Sequence, residues 1–404
     1  MEIYVARQPI FRKNKTLYGY ELLFRDGFSN AFPDIGGDEA TSRLLSNSFL
    51  AMGIDRVAGP NRAFINFTRE LLVKGVPLML PADRVVVEIL EDVEPDSEVL
   101  EACQEMVKGG YALALDDFLY NPGMSRLIGL CRIIKFDVRA TPLHELGGIL
   151  RKIGGRWDVK FLAEKVETHQ EFETARDMGF EYFQGYFFSK PEVLEGKDMA
   201  GANLNLLEIM AKANQEDFDF KELERIILRD ALISYKLLRY INSAYFRPIQ
   251  EITSIRHAIA LMGERGIRRF MSLIAMASLA ADKPNELIKE SIVRARFCES
   301  LGGLYGSPAS GAELFTLGLF SLIDAIMDQD MTSLMERIPL CEGIKEALIN
   351  RKGELARYLS LVEAYLQGLW HSVSAEAAKM GLDEELLPRC FMDSVGWAED
   401  LEAL

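Results

Sequence analysis

Residues 112–118 read ALALDDF, a short apolar run that ends in two adjacent carboxylates. Its length, its composition and the glycine pair before it at residues 109–110 are typical of a buried β-strand. A carboxylate at the end of a buried strand is costly unless it is paired or binds a cation. The stretch therefore predicts a buried strand that ends at a site where carboxylates pair with a positive group or bind a cation.

Seven further runs of this kind alternate with helical stretches over the first 190 residues: IYVA (3–6), LYGYELLFR (17–25), AFINF (63–67), RVVVEIL (84–90), IIKFD (133–137), VKFLAE (159–164) and YFQGYFF (182–188). Strands that alternate with helices predict βαβ units and a parallel sheet. Eight strands in one domain of this length favour a closed (β/α)8 TIM-like barrel, an α/β fold with a hairpin-like start. An open doubly wound sheet is the alternative.

Polar residues interrupt these apolar strands near their C-terminal ends: Glu21, Asn66, Glu88, Asp116, Asp117, Lys135, Asp137 and Glu164. In a barrel the C-terminal ends of the strands converge on one face, so these side chains should meet. A group of carboxylate and amide oxygens suits Mg²⁺ or Mn²⁺ better than zinc. Two adjacent aspartates can hold two cations about 3.5–4 Å apart, an arrangement that activates water for attack on a phosphate ester.

The second half of the chain has a different pattern. From about residue 203 apolar residues recur at helical spacing, which predicts an all-α domain. The polar segment LEGKDMAGAN (194–203) separates the two patterns, so the predicted domains are residues 1–196 and 197–404. Gly263 and Gly266 predict a break in one helix, and LGGLYGSPASG (301–311) predicts a loop.

Composition excludes several classes of protein. Among 404 residues, 46 Lys and Arg face 61 Asp and Glu, a net charge of −15, which argues against nucleic acid as a partner. The five cysteines are scattered without a Cys-x-x-Cys pair, which favours a reducing cytoplasm. The most continuous apolar stretch, residues 270–281, is shorter than the roughly 18 residues needed to cross a bilayer, so no membrane insertion is expected.

Residues 1–190 resemble an EAL domain, the barrel phosphodiesterase that opens cyclic di-GMP to linear pGpG. The motifs that carry the resemblance occur in the family's order: ELLFR (21–25), Asn66, Glu88 with Glu91, DDF (116–118), Lys135 with Asp137, AEKVE (163–167) and QGY (184–186). The resemblance covers nearly the whole predicted barrel and is highly specific.

The resemblance implies a role for each matching residue. Four would ligate one divalent cation, Mg or Mn, and a fifth would help to hold a second cation: Glu21, Asn66, Glu88 and Asp116, then Asp117. Glu164 would position or deprotonate the attacking water, and Lys135 would stabilise charge. Arg25 would clamp a phosphate of cyclic di-GMP, with Gln184 at the rim. The supporting residues around them would be Glu91, Asp137 and Glu167.

Two departures from the family pattern affect the expected rate of cyclic di-GMP hydrolysis. The family has Phe-Gly-Thr-Gly after the paired aspartates, a mobile loop that couples ligand binding to the metals, whereas this chain reads FLYNP (118–122). Glu91 would anchor that loop and lacks its usual partner, and Lys165 stands where the family has glycine. Because a loosely supported site loses rate, we expect binding of metal and cyclic di-GMP with weak or no hydrolysis.

Residues 200–400 resemble an HDOD domain, a helical relative of the HD-type phosphohydrolases that lacks their histidine ligands. The matching segments are ISYKLLR (233–239), INSAYF (241–246), ITSI (252–255) and AIALMG (258–263). None of the four histidines precedes an aspartate, and GLFSL (318–322) stands where a catalytic HD helix would read GLLHD. We expect a non-catalytic domain that binds an unidentified protein partner. The favoured role for Asn242-Ser243 is to cap or fix a helix turn, and a partner-binding groove beneath it is the alternative.

An EAL barrel followed by an HDOD domain is the YuxH-type architecture of bacterial signal transduction. The sequence leaves three functions open: an active cyclic di-GMP phosphodiesterase, a cyclic di-GMP receptor that hydrolyses weakly or not at all, and an interaction protein without nucleotide binding. The full set of metal-type groups argues against the third. The oligomeric state is open too, a homodimer included.

Overall fold

The protein was analysed as a computed structural model that describes residues 4–24, 54–190, 227–228, 231–242, 246, 252–279, 283–305 and 309–402. The chain divides into two compact units, Met1–Phe188 with Tyr365–Trp370 and Ser189–Ala364 with His371–Leu404. The predicted boundary between residues 196 and 197 lies outside the described residues and stays a prediction.

The first unit is a closed barrel in which eight strands follow one another in chain order. The strands are β1 (Val5–Arg12), β2 (Leu17–Phe24), β3 (Arg62–Phe67), β4 (Val85–Ile89), β5 (Ala112–Leu115), β6 (Ile133–Asp137), β7 (Lys160–Glu164) and β8 (Tyr182–Gln184). Strand β1 is antiparallel to both β2 and β8, and every other neighbouring pair is parallel. The predicted barrel with a hairpin start is confirmed, and the open sheet is excluded.

Helices and short 3₁₀ turns connect these strands. The helices are Ile54–Ala58, Arg69–Val73, Ser97–Lys108, Ser125–Ile128, Leu143–Gly154 and His169–Asp177, and the 3₁₀ turns are Val76–Met79, Pro122–Met124 and Tyr186–Phe188. Local sequence explains two of the helix starts. Asp96 accepts a hydrogen bond from the Val99 amide, and Thr168 forms a capping box with Glu171.

One apolar cluster lies inside the barrel: Ile10, Phe64, Val86, Ala114, Ile133, Leu162 and Tyr182. In the six contributing strands other than antiparallel β1, the cluster residue is followed two positions later by a polar residue toward the C-terminal end of the barrel: Asn66, Glu88, Asp116, Lys135, Glu164 and Gln184. Side chains two positions apart in a strand point to the same side, so the polar residues form the next layer toward the C-terminal ends of the strands. The barrel therefore supports its polar layer on an apolar one.

From residue 231 onward the described residues contain helices and no strand. The helices are Ala231–Ile241, Ile255–Leu279, Asn285–Tyr305, Gly311–Phe320, Ile323–Met327, Met331–Arg337, Glu342–Asn350, Glu354–Leu366, Trp370–Met380 and Leu387–Glu402, with a 3₁₀ turn at Glu384–Leu386. The all-helical prediction is confirmed. Among the described residues, no helix is long and apolar enough to span a membrane.

Three local predictions for the helical unit can be compared with the structure. Asn242 fixes a turn, because its amide donates to the Leu238 and Ile252 carbonyls and accepts from the Ile252 amide, each at 2.8 Å. Gly263 kinks the long helix with a φ of 63°. The predicted loop over residues 301–311 is wrong at its start, because the helix Asn285–Tyr305 continues through the glycine pair at 302–303. Buried neighbours such as Leu301 stabilise that turn of helix.

Candidate functional site

The ammonium group of Lys135 lies at the centre of the polar layer and has no solvent exposure. Its Nζ atom is 2.7 Å from Asp116 Oδ1, 2.8 Å from Glu88 Oε1, 2.9 Å from Glu164 Oε1 and 3.3 Å from Glu21 Oε2. These carboxylates come from β2, β4, β7 and the residue after β5. The structure thus brings four of the carboxylates that the sequence predicted to meet into contact with one lysine, whereas Asp137 lies outside this group and pairs with Lys165.

Three amide side chains complete this layer. Asn66 donates to Glu21 Oε1 at 3.1 Å. Gln184 donates to Glu21 Oε2 at 2.8 Å and to Gln8 Oε1 at 2.9 Å. Glu21 is therefore oriented by two amides as well as by Lys135, and its carboxylate has little freedom to rotate.

Sequence reasoning missed Gln8. Because β1 runs antiparallel to its neighbours, the polar layer lies two residues before the core residue Ile10 rather than two residues after it. In the β1–β2 register Gln8 is the partner of Glu21. The predicted hairpin start, combined with the alternation of side chains, carries the signal that could have identified it.

Four carboxylates around one ammonium leave an excess of negative charge in a buried space. Burial raises the pKa of Glu88 well above its ordinary value; Lys135 opposes the shift, while Glu21 and Asp116 add to it. The pKa of Glu164 is raised for the same reasons, burial being the largest cause. For Lys135 burial acts to lower the pKa, but the four carboxylates outweigh it and the pKa is raised. The site therefore favours additional positive charge.

Asp117 lies beside this cluster in a backbone conformation that is uncommon for a residue with a side chain, with a φ of 37°. The chain on either side is fixed, because the Asp116 amide donates to the Ile89 carbonyl and the Phe118 amide donates to the Lys135 carbonyl, both at 3.0 Å. Burial, then the neighbouring Asp116, raises the pKa of Asp117. The FLYNP segment (118–122), which stands where the family has a glycine loop, thus begins at a backbone position held by hydrogen bonds. Its second residue, Leu119, is 71% exposed.

The remaining predicted site residues form no ion pair with Lys135 in the described part of the structure. Asp137 accepts a hydrogen bond from Lys165 Nζ at 2.5 Å, and Glu167 lies 3.4 Å from Arg139 in an ion pair. Glu91 is exposed, and its side chain takes part in no hydrogen bond or ion pair with the described residues. Arg25 lies outside the described residues, so its predicted phosphate contact stays a prediction.

The oxygens of the site fit a hard divalent cation. Among the described residues of this layer, five buried oxygens have neither a hydrogen bond nor an ion pair: Asn66 Oδ1, Glu88 Oε2, Asp117 Oδ1, Glu164 Oε2 and Gln184 Oε1. Such atoms are costly to bury unless something binds them. The described residues hold no preformed group of three acidic, His or Cys ligands, and Lys135 Nζ lies where the carboxylates converge. A bound cation would have to share these carboxylates with Lys135.

Two family models match the chain, the EAL domain over residues 49–191 and the HDOD domain over residues 203–338. One relative, the cyclic di-GMP phosphodiesterase CdgJ of Vibrio cholerae, is 37% identical over 99% of this chain and 93% of its own length. The chain belongs to the EAL–HDOD family. The uncharacterised protein YuxH of Bacillus subtilis is 34% identical over 99% of both chains.

A solved structure of a standalone EAL protein from Vibrio cholerae, with bound c-di-GMP, shares 22% identity over 47% of the EAL–HDOD chain and 92% of its own, with a TM-score of 0.35. The EAL model match begins at residue 49, after the ELLFR motif. The structure nevertheless connects this motif to the site, because its first residue, Glu21, contacts Lys135, Asn66 and Gln184 inside the barrel.

Proposed function

We propose that the protein is a cyclic di-GMP phosphodiesterase that opens the cyclic dinucleotide to pGpG at the C-terminal face of its barrel. The observation that carries this proposal is the single buried layer in which four carboxylates converge on Lys135, with unpartnered oxygens on Asn66, Glu88 and Glu164. The identity with CdgJ over nearly the full length supports the same activity.

Four oxygen-bearing side chains would hold a divalent cation, Mg²⁺ or Mn²⁺: Glu21, Asn66, Glu88 and Asp116, with Asp117 beside them. Such a cation polarises a phosphoryl oxygen and makes a bound water easier to deprotonate. Asn66 and Gln184 hold Glu21 in place through its two oxygens. This fixed orientation lowers the cost of organising the site for each turnover.

Glu164 is the proposed proton acceptor. Its carboxylate ends β7, contacts Lys135 and retains a buried oxygen, Oε2, that has no hydrogen-bond partner among the described residues. Burial raises its pKa, which brings the group closer to the range in which a general base works well. Lys135 would offset the negative charge that develops as water attacks the phosphate.

The test is incubation of the full chain with cyclic di-GMP and Mg²⁺ or Mn²⁺, followed by separation of the nucleotides. We expect pGpG from the wild-type protein and a loss of at least about 100-fold in turnover for Glu164→Gln, with binding retained, because general-base groups contribute roughly 10²–10⁴-fold. Asp158→Asn removes an exposed carboxylate just before β7 and should leave turnover unchanged. Full activity in Glu164→Gln would contradict the assigned role.

A second candidate function is a cyclic di-GMP receptor that hydrolyses slowly or not at all. Two features favour it: the FLYNP segment after Asp117, where the family has a glycine loop, and Lys165 in place of the family's glycine beside Glu164. The same assay separates the candidates. Tight binding with turnover far below that of an active EAL enzyme would select the receptor, and absence of both binding and turnover would leave only an interaction protein.

The helical HDOD unit is proposed to act by contact with a protein partner rather than by catalysis. Ser321 and Leu322 stand where an HD hydrolase has its ligand doublet, and the Ser321 hydroxyl donates to the Gly318 carbonyl at 2.7 Å. Leu322 is buried. Ser321 and Leu322 end the helix Gly311–Phe320, and the described residues contain no group of three acidic, His or Cys side chains that could hold a metal ion in place of the doublet.

A further inference from the structure

A short segment that is distant from the barrel in sequence lies beside the polar layer. Residues Tyr365–Trp370 join the helices Glu354–Leu366 and Trp370–Met380 and belong to the same compact unit as the barrel strands. The Gln367 carbonyl accepts a hydrogen bond from Gln8 Nε2 at 3.2 Å. The segment is therefore bonded to the site residue that sequence reasoning missed.

This bond sets the direction of the Gln8 amide group. Because a backbone carbonyl can only accept, the nitrogen of the amide must face Gln367, which leaves its oxygen for Gln184. That oxygen accepts from Gln184 Nε2 at 2.9 Å, and the same nitrogen donates to Glu21 Oε2 at 2.8 Å. Both hydrogens of the Gln184 amide are thus used. The Gln367 carbonyl therefore orients the Glu21 carboxylate through two successive amides.

Packing holds the segment against strands β1 and β2. Gly368 has a φ of 67°, and a Cβ at this position would lie 2.7 Å from Leu23 Cδ1, too close for either atom to stay in place. Trp370 is buried, and its ring meets the ring of Tyr4 edge-on with the centroids 6.4 Å apart. Because these contacts lie after Gln367 on a tightly packed stretch, its carbonyl has a defined position beside β1.

We propose that the segment Tyr365–Trp370 positions the metal ligand Glu21 through Gln8 and Gln184, and that the barrel site is complete only with this segment in place. Gln8 is then a positioning residue that would not contact the ion. Residues that hydrogen-bond a metal ligand orient it, and their loss typically lowers metal affinity about 10–100-fold. This inference rests on the proposed function only in requiring that Glu21 binds a divalent cation.

The test measures the affinity of the full-length protein for Mn²⁺ by calorimetry. Gln8→Met keeps the length of the side chain and removes both of its hydrogen bonds, whereas Gly368→Ala displaces the segment and leaves every side chain of the polar layer unaltered. We expect each variant to bind Mn²⁺ about 10-fold more weakly than the wild-type protein, the lower end of the range because Gln8 acts through Gln184. Gly381→Ala is the matched control. Gly381 has the same φ of 67° but nothing within 4 Å of an added Cβ, so this variant should keep the wild-type affinity.

The double variant separates positioning from a general loss of stability. If the segment acts through Gln8, then Gln8→Met combined with Gly368→Ala should bind Mn²⁺ as weakly as either single variant, because one connection can be broken only once. Two independent effects would instead multiply to roughly 100-fold, and that result would overturn the inference.

The remaining outcomes overturn different statements. Wild-type affinity in Gln8→Met or in Gly368→Ala would overturn the role of the segment and leave the phosphodiesterase proposal intact. A loss in Gly381→Ala as large as that in Gly368→Ala would trace the effect to backbone strain and overturn the role as well. No bound manganese on the wild-type protein would overturn the metal site and the proposed function, and this inference with them.

Discussion

At the level of single residues, Lys135 decides whether the polar layer is tolerated inside the barrel. Its fully buried ammonium is shared by Glu88, Asp116 and Glu164 at 2.7–2.9 Å, and Glu21 lies slightly farther away. Removing one partner of a buried ion pair leaves uncompensated charge in a medium of low polarity. Lys135 therefore has a structural role in addition to the one it would have in catalysis.

We expect Lys135→Met to lower the free energy of unfolding by about 3–5 kcal/mol in the absence of divalent ions, as for other broken buried ion pairs. Added Mn²⁺ should restore part of the loss, because a cation bound to the folded state alone stabilises it. Urea unfolding with EDTA and with manganese measures both effects. An unchanged midpoint in EDTA would show that the carboxylates are protonated and do not need Lys135.

The sequence revealed the residues of this layer but not its centre. Alternation of side chains in the strands predicted that Glu88, Asp116 and Glu164 converge, and they do. The same alternation placed Lys135 near the site but not at its centre. How deep a side chain lies along the barrel axis depends on strand tilt and stagger, which a single sequence does not show. Gln8 was missed for a different reason: its strand runs antiparallel to its neighbours, so the polar residue precedes the core residue Ile10 instead of following it.

At the level of elements, the contact between the ends of β7 and β8 shapes the site. Val166 is hydrogen-bonded to Gln184 and Phe187 across this contact, with Gly185 between those two residues. Gly185 has a φ of 142° and no space for a side chain. The contact fixes the backbone that carries Glu164, Lys165 and Gln184, so these three side chains should respond together when it is disturbed.

We expect Gly185→Ala to destabilise the protein by about 2–4 kcal/mol, since it combines backbone strain with a steric clash against fixed backbone. Gly179→Ala is a matched control, because Gly179 has a φ of 98° but nothing within 4 Å of an added Cβ. It should cost only about 1–2 kcal/mol, from strain alone. Chemical unfolding of both variants gives the comparison, and equal losses would show that the contact is loose enough to adapt.

Helix prediction failed at one element for a related reason. The sequence LGGLYG suggests a loop because glycine is a poor helix former. Nevertheless the helix Asn285–Tyr305 includes Gly302 and Gly303, since its buried face packs on neighbouring helices, and tertiary packing outweighs a local preference of about 1 kcal/mol per glycine. The barrel strands raised no such conflict, because their composition and their burial favour the same structure.

At the level of the whole molecule, the two units differ in the balance of positive and negative charge among their buried side chains. In the barrel, four carboxylates surround one ammonium, and negative charge is in excess. In the helical unit the buried guanidinium of Arg294 lies 3.4 Å from the Ser321 hydroxyl, 3.0 Å from Glu363 and 2.6 Å from Glu290. Because Arg294 and Arg351 offset Glu290 and Glu363, the position of the missing ligand doublet lacks the excess negative charge that would attract a metal ion.

This contrast predicts that all bound metal belongs to the barrel. The full-length variant Glu88→Gln removes one proposed ligand charge while keeping a similar shape, and we expect its manganese content to fall well below that of the wild-type protein. Ser321→Ala should keep the wild-type content, because Ser321 is bonded to the Gly318 carbonyl and to Arg294 and ligates nothing. Elemental analysis for manganese, iron and zinc after dialysis measures both variants. Stoichiometric iron or zinc that persists in Glu88→Gln would place a metal in the helical unit and contradict its assignment as a contact domain.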